Sequence, residues 1–313
     1  MAILEATNLK KSFGDFEAVK GITLAVEKGE VFGVLGPNGA GKSTTINMLA
    51  TLLLPTSGIA VIDGLDVVKN ATQVREKIGL CTASSRFIWE LNAYEILNYY
   101  GMLYGLDSGR RKRRVEDLIE FFGIGEFKDK EFGQLSTGMR QKIALAKSLV
   151  NDPVVWFLDE PTNGLDIEIS KEIRDKVGRI VKEKQTTVIL TSHYLSEVEE
   201  MCNRIALINE GKVIAIGGIS EIKQSLNFFD TITFNVEKQA DVSFLEKING
   251  VELFRQTGKA VTIRAKTPQH VLAEMLDQLE KRGEKIHGLE VKRPSLEEVF
   301  LKLVKTARKD KKK

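Results

Sequence analysis

Cysteine is scarce in this 313-residue chain. The two present, Cys81 and Cys202, lie far apart and lack the spacing of metal ligands. A disulfide framework is thereby excluded, and buried thiols in a reducing compartment are expected. Long apolar runs are missing as well, so no segment can span a bilayer as a helix. The opening M-A-I-L-E-A-T-N-L-K has no apolar secretory core, and no signal peptide is expected. Charge of one sign does not dominate: the formal net charge is +3, too small a bias to point to nucleic acid. Repeats and low-complexity segments are also lacking. These absences lead to a soluble, cytosolic chain unless a partner holds it at a membrane. The basic clusters Arg110–Arg114 and Lys309–Lys313 are expected to be a solvated face and a frayed tail. Attraction to anionic headgroups is the alternative for both.

What is present is an α/β pattern. With 313 residues and 42% hydrophobic content, the chain can fill one large core or, better, two domains. Its organising stretch is V-F-G-V-L-G-P-N-G-A-G-K-S-T-T, Val31 to Thr45. A short apolar run reads as a buried strand, a glycine-rich turn follows, and Lys42–Thr51 reads as a helix. Gly36, Gly41, Lys42 and Ser43 fit the phosphate-loop pattern G-x-x-x-x-G-K-[ST]. The chemistry needs these residue types. Consecutive N–H groups must turn inward around an anion, and Gly36, Gly39 and Gly41 permit that backbone path. The helix N-terminus adds a favourable dipole. Lys42 brings a positive charge to the terminal phosphates, and the Ser43 hydroxyl can ligate Mg²⁺.

Before this stretch, strands are expected at Ile3–Leu9 and Glu17–Val26, with a turn at Lys10–Asp15 and an interruption near Gly21. After it come a strand within Thr56–Gly64, a short helix between Leu65 and Lys77, and a strand at Ile78–Cys81. From Leu91 to Val150 apolar residues recur at helical spacing, which predicts a helical insertion. Strands return at Val154–Leu158, Thr187–Thr191 and Ile205–Asn209, with helices at Glu168–Lys184 and Leu195–Met201 between them. Alternating β and α elements after a phosphate loop predict a doubly wound, mostly parallel sheet. The register breaks around Gly217–Phe228. Beyond it the order strand, helix (Val242–Ile248), strand, strand, helix (Pro268–Arg282), strand predicts a small ferredoxin-like α+β domain. A last helix, Ser295–Thr306, opens on a capping-box pattern. The expected domains are therefore 1–220, with a helical insertion at about 84–150, then 228–306 and a basic tail, 307–313.

Three further places carry chemistry. Val154–Leu158 is an apolar strand that runs into Asp159 and Glu160. Carboxylates at that end are costly unless they face a site, and in an open α/β sheet ligands bind at that edge. Asp159 is a candidate Mg²⁺ holder, and Glu160 a candidate base for an attacking water; phosphoryl transfer asks mainly for positioning and charge stabilisation. Leu135-Ser136-Thr137-Gly138 opens a helix expected at Arg140–Leu149, either as an ordinary N-cap or as a second anion seat. His193 ends a strand on the same ligand edge. His270 and His287 are given no role.

In this order, the motifs resemble the nucleotide-binding subunit of ATP-binding-cassette (ABC) transporters over about the first 220 residues. The phosphate loop, L-S-T-G, the apolar strand with D-E, Gly164-Leu165-Asp166 and the later histidine carry the resemblance. It implies a P-loop ATPase core with a mostly parallel sheet, an antiparallel β part and the inserted helical subdomain. It also implies ATP and Mg²⁺ as cofactors. Phe13 would stack on adenine, in place of the more usual tyrosine, and Val19 would pack near the same base. Gly36, Pro37, Asn38, Gly39, Ala40, Gly41, Lys42, Ser43, Thr44 and Thr45 would wrap the phosphates. Ser43 and Asp159 would hold the metal. Ser136 and Gly138 would contact the γ-phosphate bound by the other subunit, and Asp166 would couple the two sites. His193 would grip the γ-phosphate and support Glu160, and Lys42 would act with them in catalysis. One departure is plain: Ala83 stands where most members carry a Mg²⁺-ligating glutamine, with Ser84 or Ser85 as the nearest replacement.

The wording L-S-T-G-M-R-Q-K and the C-terminal extension ending S-L-E-E-V-F look closest to exporters of drugs, polysaccharides, lipids or sodium whose permease is a separate chain. The resemblance implies an ATPase at the cytoplasmic face of the membrane, partnered by that permease and by a second copy or a paralogous subunit, without nucleic acid. Docking on the permease is expected near Arg86–Tyr94, where Phe87, Trp89 and Tyr94 cluster; the alternative is that these aromatics are simply core. The competing class is a soluble ABC ATPase that remodels ribosomes or DNA. Such proteins carry two cassettes or a long coiled coil, and this chain has neither.

Overall fold

The computed structural model describes residues 2–82, 87–192, 194–225, 229–237 and 240–300. His193, Ala83, Ser84, Ser85, Arg86 and the tail 307–313 lie outside the described residues, as does the end of the last expected helix. The chain divides into two compact units, Met1–Gly217 and Gly218–Lys313.

The first unit opens on a long hairpin, β1 (Ala2–Phe13) and β2 (Phe16–Glu27). The strand β3 (Val31–Leu35) then leads into helix α1 (Lys42–Leu49). Strands β4 (Ser57–Ile62) and β5 (Leu65–Asp66), helix α2 (Ala71–Lys77) and strand β6 (Ile78–Thr82) follow. Next come three helices, α3 (Ala93–Leu103), α4 (Ser108–Phe122) and α5 (Thr137–Ser148). The unit closes with β7 (Val155–Asp159), α6 (Ile167–Lys184), β8 (Thr187–Thr191), α7 (Leu195–Met201), β9 (Arg204–Asn209) and β10 (Lys212–Gly218).

Two sheets result. The first is antiparallel, in the order β2-β1-β4-β5. The second runs β10-β9-β3-β8-β7-β6, with β9, β3, β8, β7 and β6 mutually parallel. All five residues of β3 and of β8 are buried, as a parallel strand covered on both faces requires. One core joins the sheets: Leu4, Ile22, Phe32, Ile46, Val74 and Phe157 belong to it.

Local chemistry sets the helices of the insertion. Asn92 and Glu95 form a reciprocal capping box at the start of α3, both bonds 2.9 Å. Asp107 caps α4, which ends at Gly123 in the left-handed conformation. Tethers then dock the helices. Lys147 donates to the Leu80 carbonyl at 3.3 Å, and the Trp156 indole donates to the Ser148 hydroxyl at 2.8 Å. The basic cluster on α4 is not uniformly solvated. Arg111 bonds Asn98 and the Leu106 carbonyl, while Arg114 bonds the Leu149 and Val150 carbonyls and Asp152. The Arg111 head thus satisfies a carbonyl just beyond α3, and the Arg114 head satisfies carbonyls at the end of α5.

The second unit begins with α8 (Ile219–Ser225) and β11 (Asp230–Val236). It continues through β12 (Val251–Thr257), β13 (Ala260–Ala265), α9 (Pro268–Lys281) and β14 (Ile286–Lys292). Its sheet is antiparallel, in the order β12-β13-β11-β14. That is the strand order of a ferredoxin-like fold. Ile232, Phe234, Val261, Ile263, Val271 and Met275 fill its core.

Several boundaries differ from the sequence-based expectation. Lys10–Phe13 is strand rather than turn: Lys10 pairs with Lys20 and Phe13 with Phe16, so the turn is confined to Gly14-Asp15. β2 is not interrupted at Gly21. It bulges there, with φ +99° and the Asn8 side chain filling the space a Cβ would need. α5 begins at Thr137, three residues before the expected start, because Ser136 caps it. β10 was not expected. The expected helix Val242–Ile248 is a short 3₁₀ turn, Ser243–Lys247. The last helix does start on its cap, the Ser295 hydroxyl accepting from the Glu298 N–H at 3.2 Å.

Both cysteines are free and buried, and burial pushes each thiol up to about 12. They are inert core groups rather than reactive ones.

Candidate functional site

The phosphate loop lies between the end of β3 and the start of α1. Gly36 has no alternative there, since a Cβ would come within 2.2 Å of the Ile208 carbonyl oxygen. Gly41 has φ +101°, and a Cβ would sit 2.8 Å from the Ala18 carbonyl oxygen. The loop is pinned beneath by Gly211 N–H to the Ala40 carbonyl at 2.9 Å and by the Thr45 hydroxyl to the Gly41 carbonyl at 2.8 Å. Ala40 and Thr45 are buried; Pro37, Asn38, Gly39 and Ser43 face outward, and Thr44 is half-buried.

Lys42 is 6% exposed, and its ammonium donates to the Gly36 and Pro37 carbonyls at 2.7 and 3.2 Å. Desolvation lowers its pKa from the ordinary lysine value, while Glu160 and Asp159 pull the other way. Those two carboxylates are thus the charges that Lys42 feels most.

Asp159 ends β7. Its Oδ1 accepts from the Thr191 hydroxyl at 2.5 Å and from the Ser43 hydroxyl at 3.4 Å. Glu160 follows with φ +51°, a left-handed conformation that costs a non-glycine residue about 1–3 kcal/mol. Its N–H is shared between the Thr191 carbonyl and the Thr191 hydroxyl, each at 3.0 Å. Asn163 donates to the Glu160 carboxylate at 3.1 Å.

Ser136 and Asp166 both act as N-caps. The Ser136 hydroxyl accepts from the Met139 N–H at 3.3 Å, and Asp166 accepts from the Ile169 N–H at 2.8 Å. A Cβ on Gly138 would lie 3.4 Å from the Ile169 side chain, so among the described residues beyond its own helix that side chain borders the glycine most closely. Ser136, Gly138 and Asp166 are therefore neighbours through Ile169. Phe13 is a half-exposed ring at the tip of the hairpin, with the Lys11 ammonium 5.2 Å from its centroid. Val19 has no exposed surface; its side chain packs under Gly41.

The structure brings Lys42, Ser43, Asp159 and Glu160 together. Thr191, Asn163 and Glu197 were not singled out from sequence. Glu197 accepts from the Thr162 hydroxyl at 2.6 Å, from the Ser192 hydroxyl at 3.4 Å and from Arg174 at 3.0 Å. A polar residue closing an apolar strand, as Thr191 does, was the one signal available.

Comparison with known proteins accords with this geometry. Residues 19–163 match the ABC transporter family, and residues 217–304 match the C-terminal domain of DrrA1-3-like ATP-binding proteins. The chain is 34% identical over 306 residues to the linearmycin resistance ATP-binding protein LnrL of Bacillus subtilis (strain 168), covering 96% of this chain and 98% of the relative. It is 36% identical over 304 residues to the daunorubicin/doxorubicin resistance ATP-binding protein DrrA of Streptomyces peucetius, covering 96% and 92%. Among solved structures, a dimeric ATP-binding cassette in a post-hydrolysis state, bound to ADP and Pi, superposes with a TM-score of 0.64. It is 25% identical, covering 69% of this chain and 98% of that one. With its phosphate loop, its paired carboxylates and its matched second domain, this chain belongs to the ATP-binding subunits of ABC transporters, with a DrrA-like C-terminal domain.

Proposed function

We propose that this chain is the Mg²⁺-dependent ATPase of a drug-type exporter, working as one of two facing cassettes beneath a separate permease. The single observation that carries the reading is the meeting of Ser43, Asp159 and Glu160 at the head of the loop that holds Lys42. The donor set suits Mg²⁺. A hydroxyl and a carboxylate supply hard oxygens, and no cluster of three or more His, Cys, Asp or Glu among the described residues forms a fully protein-bound metal site. Mg²⁺ is ordinarily held by few protein ligands, together with phosphates and water. When bound it would supply charge neutralisation on the phosphates.

In this reading the loop residues Gly36–Thr45 and the Lys42 ammonium hold the triphosphate, trading the Gly36 and Pro37 carbonyls for phosphate oxygens. Phe13 offers its exposed ring to the base; Val19 supports the loop from below. Glu160 orients and deprotonates the attacking water. Ser136 and Gly138 close over the γ-phosphate of the opposite subunit, Asp166 couples the two sites, and His193 assists Glu160. Likeness to two drug-resistance subunits across nearly the whole chain supports export as the direction.

The permease would dock on the helical insertion. Phe87 is not free for this role, since its ring packs 5.0 Å from Phe132 and 6.1 Å from Tyr100. Trp89 is 59% exposed, and Tyr99, Met102 and Leu103 of α3 are exposed apolar residues near it in sequence. No helix among the described residues is long and apolar enough to cross a membrane; the place at the cytoplasmic face follows from the proposed pairing with a permease.

The test is Glu160→Gln in the full-length chain. ATP and Mg²⁺ should convert it from monomer to a stable dimer in size exclusion with light scattering, with turnover abolished. A monomer at saturating ATP, or retained turnover, overturns the reading.

A further inference from the structure

The machinery just described leaves out a hydroxyl that touches both carboxylate residues. Thr191 ends β8 and is fully buried. Its hydroxyl donates its only proton to Asp159 Oδ1 at 2.5 Å, so the Glu160 N–H, at 3.0 Å, meets an oxygen lone pair. The polarity of the chain is thereby fixed: Glu160 N–H to Thr191 Oγ1, and Thr191 O–H to Asp159.

We propose that Thr191 is the positioning residue of the hydrolytic site, one buried hydroxyl that sets the orientation of the Asp159 carboxylate and the backbone of Glu160 together. The inference rests on the catalytic roles proposed above for Asp159 and Glu160. At Asp159, a short bond to a charged acceptor is of the strong kind and fixes one carboxylate oxygen. That same oxygen faces the Ser43 hydroxyl at 3.4 Å, so Thr191 determines what remains for a cation beside Ser43. At Glu160, the residue stands in a left-handed conformation at φ +51°. The neighbouring strand holds it there with two acceptors on one N–H, the carbonyl and the hydroxyl of Thr191. Asn163 engages the other end of the residue, at the carboxylate. Thr191 itself touches no substrate; it acts through the two residues it joins. The side chain is β-branched in a buried strand, so valine reproduces its shape and removes only the hydroxyl.

The experiment compares Thr191→Val, Thr191→Ser and Glu160→Gln in the full-length chain by steady-state ATP hydrolysis, nucleotide binding and thermal melting. Thr191→Val should lower kcat by about tenfold to a hundredfold, the size of one charge-assisted hydrogen bond. Its ATP affinity should stay within about threefold of wild type, because Lys42 and the loop are unaltered. Thr191→Ser keeps the hydroxyl and loses the methyl, so it should recover most of the rate. Wild-type kcat in Thr191→Val overturns the proposal. So does a Thr191→Ser variant as slow as the valine one, which would make Thr191 a packing residue. If Glu160→Gln also turns over normally, it is the catalytic reading of Glu160 that fails. If Glu160→Gln is dead and Thr191→Val is normal, only the positioning role fails.

Discussion

Glu197 on α7 is the best place to test how the two loops beside the carboxylates are held. Its carboxylate is the meeting point of Thr162, which follows Glu160 by two residues, of Ser192, which precedes His193, and of Arg174 on α6. The Glu197 and Arg174 side chains are only 13% and 16% exposed. Among the described residues Arg174 has one other anion, Glu200 at 3.2 Å, but that carboxylate is 62% exposed and is not aligned for a hydrogen bond with the buried Nε. Glu197→Ala therefore leaves the half-buried Arg174 guanidinium facing the exposed Glu200 and removes the acceptor of the Thr162 and Ser192 hydroxyls. Breaking one side of such a pair costs about 3 kcal/mol, which in a unit of this size lowers Tm by roughly 6–12 °C. Replacing both partners removes the guanidinium as well. Arg174→Met combined with Glu197→Met should lose much less than the two single changes added together, with a coupling of about 2 kcal/mol. Melting curves of the four full-length chains give the cycle, read on the transition that ATP shifts. Additive losses would refute the account, because they would mean that the two side chains are held independently.

Two further outcomes follow from the same structure. Gly36→Ala places a Cβ within 2.2 Å of a backbone oxygen, and a backbone cannot rotate aside, so Tm and ATP affinity should fall together; Gly39→Ala has open space, pays only for its φ of +79°, and should keep measurable binding. At Asp152, burial raises the carboxyl pKa, but Lys184 and Arg114 more than reverse it and hold it below the ordinary value. A depressed carboxyl stabilises above its unfolded pKa and ceases to as pH falls through the folded one, so the Tm gap between wild type and Asp152→Asn should be full at pH 6 and close below about pH 4. A gap that widens on acidification would contradict the sign.

The parts legible in sequence were those in which one short stretch carries its own signal. The glycines of the loop, the capping serine at Ser136 and the carboxylates after an apolar strand each announce a backbone or charge requirement locally. The ferredoxin-like unit was legible as an order of elements. Less legible were the features decided by partners distant in the chain. Lys10–Phe13 looks like a turn until β2 supplies its pairing, and Gly21 looks like a break until Asn8 fills the bulge. Arg114 looks like one of a solvated run, yet the carbonyls at the end of α5 draw it inward. Phe87 and Trp89 share a cluster in sequence, but Phe132 and Tyr100 pack around the first, which is half-buried, while the second stays exposed.

Register is the deepest of these hidden features, and it explains why the site forms where it does. β3, β6, β7 and β8 are each five residues long, and their parallel pairings keep them level. Ile78 aligns with Val155 and Val155 with Thr187 at one end; at the other, Thr82 aligns with Asp159, Asp159 with Thr191, and Thr191 with Val34. Three polar side chains thus fall on a single row, at the edge where β3 gives way to the phosphate loop. A slip of one residue in β8 would reverse which face its side chains take and move Thr191 off Asp159. The apolar side chains below that row are buried on both faces, and a slip would mismatch their packed volumes. The packing that makes the sheet is therefore what aligns its chemistry: the core sets the register, and the register delivers a hydroxyl, a carboxylate and an anion-binding turn to the same edge.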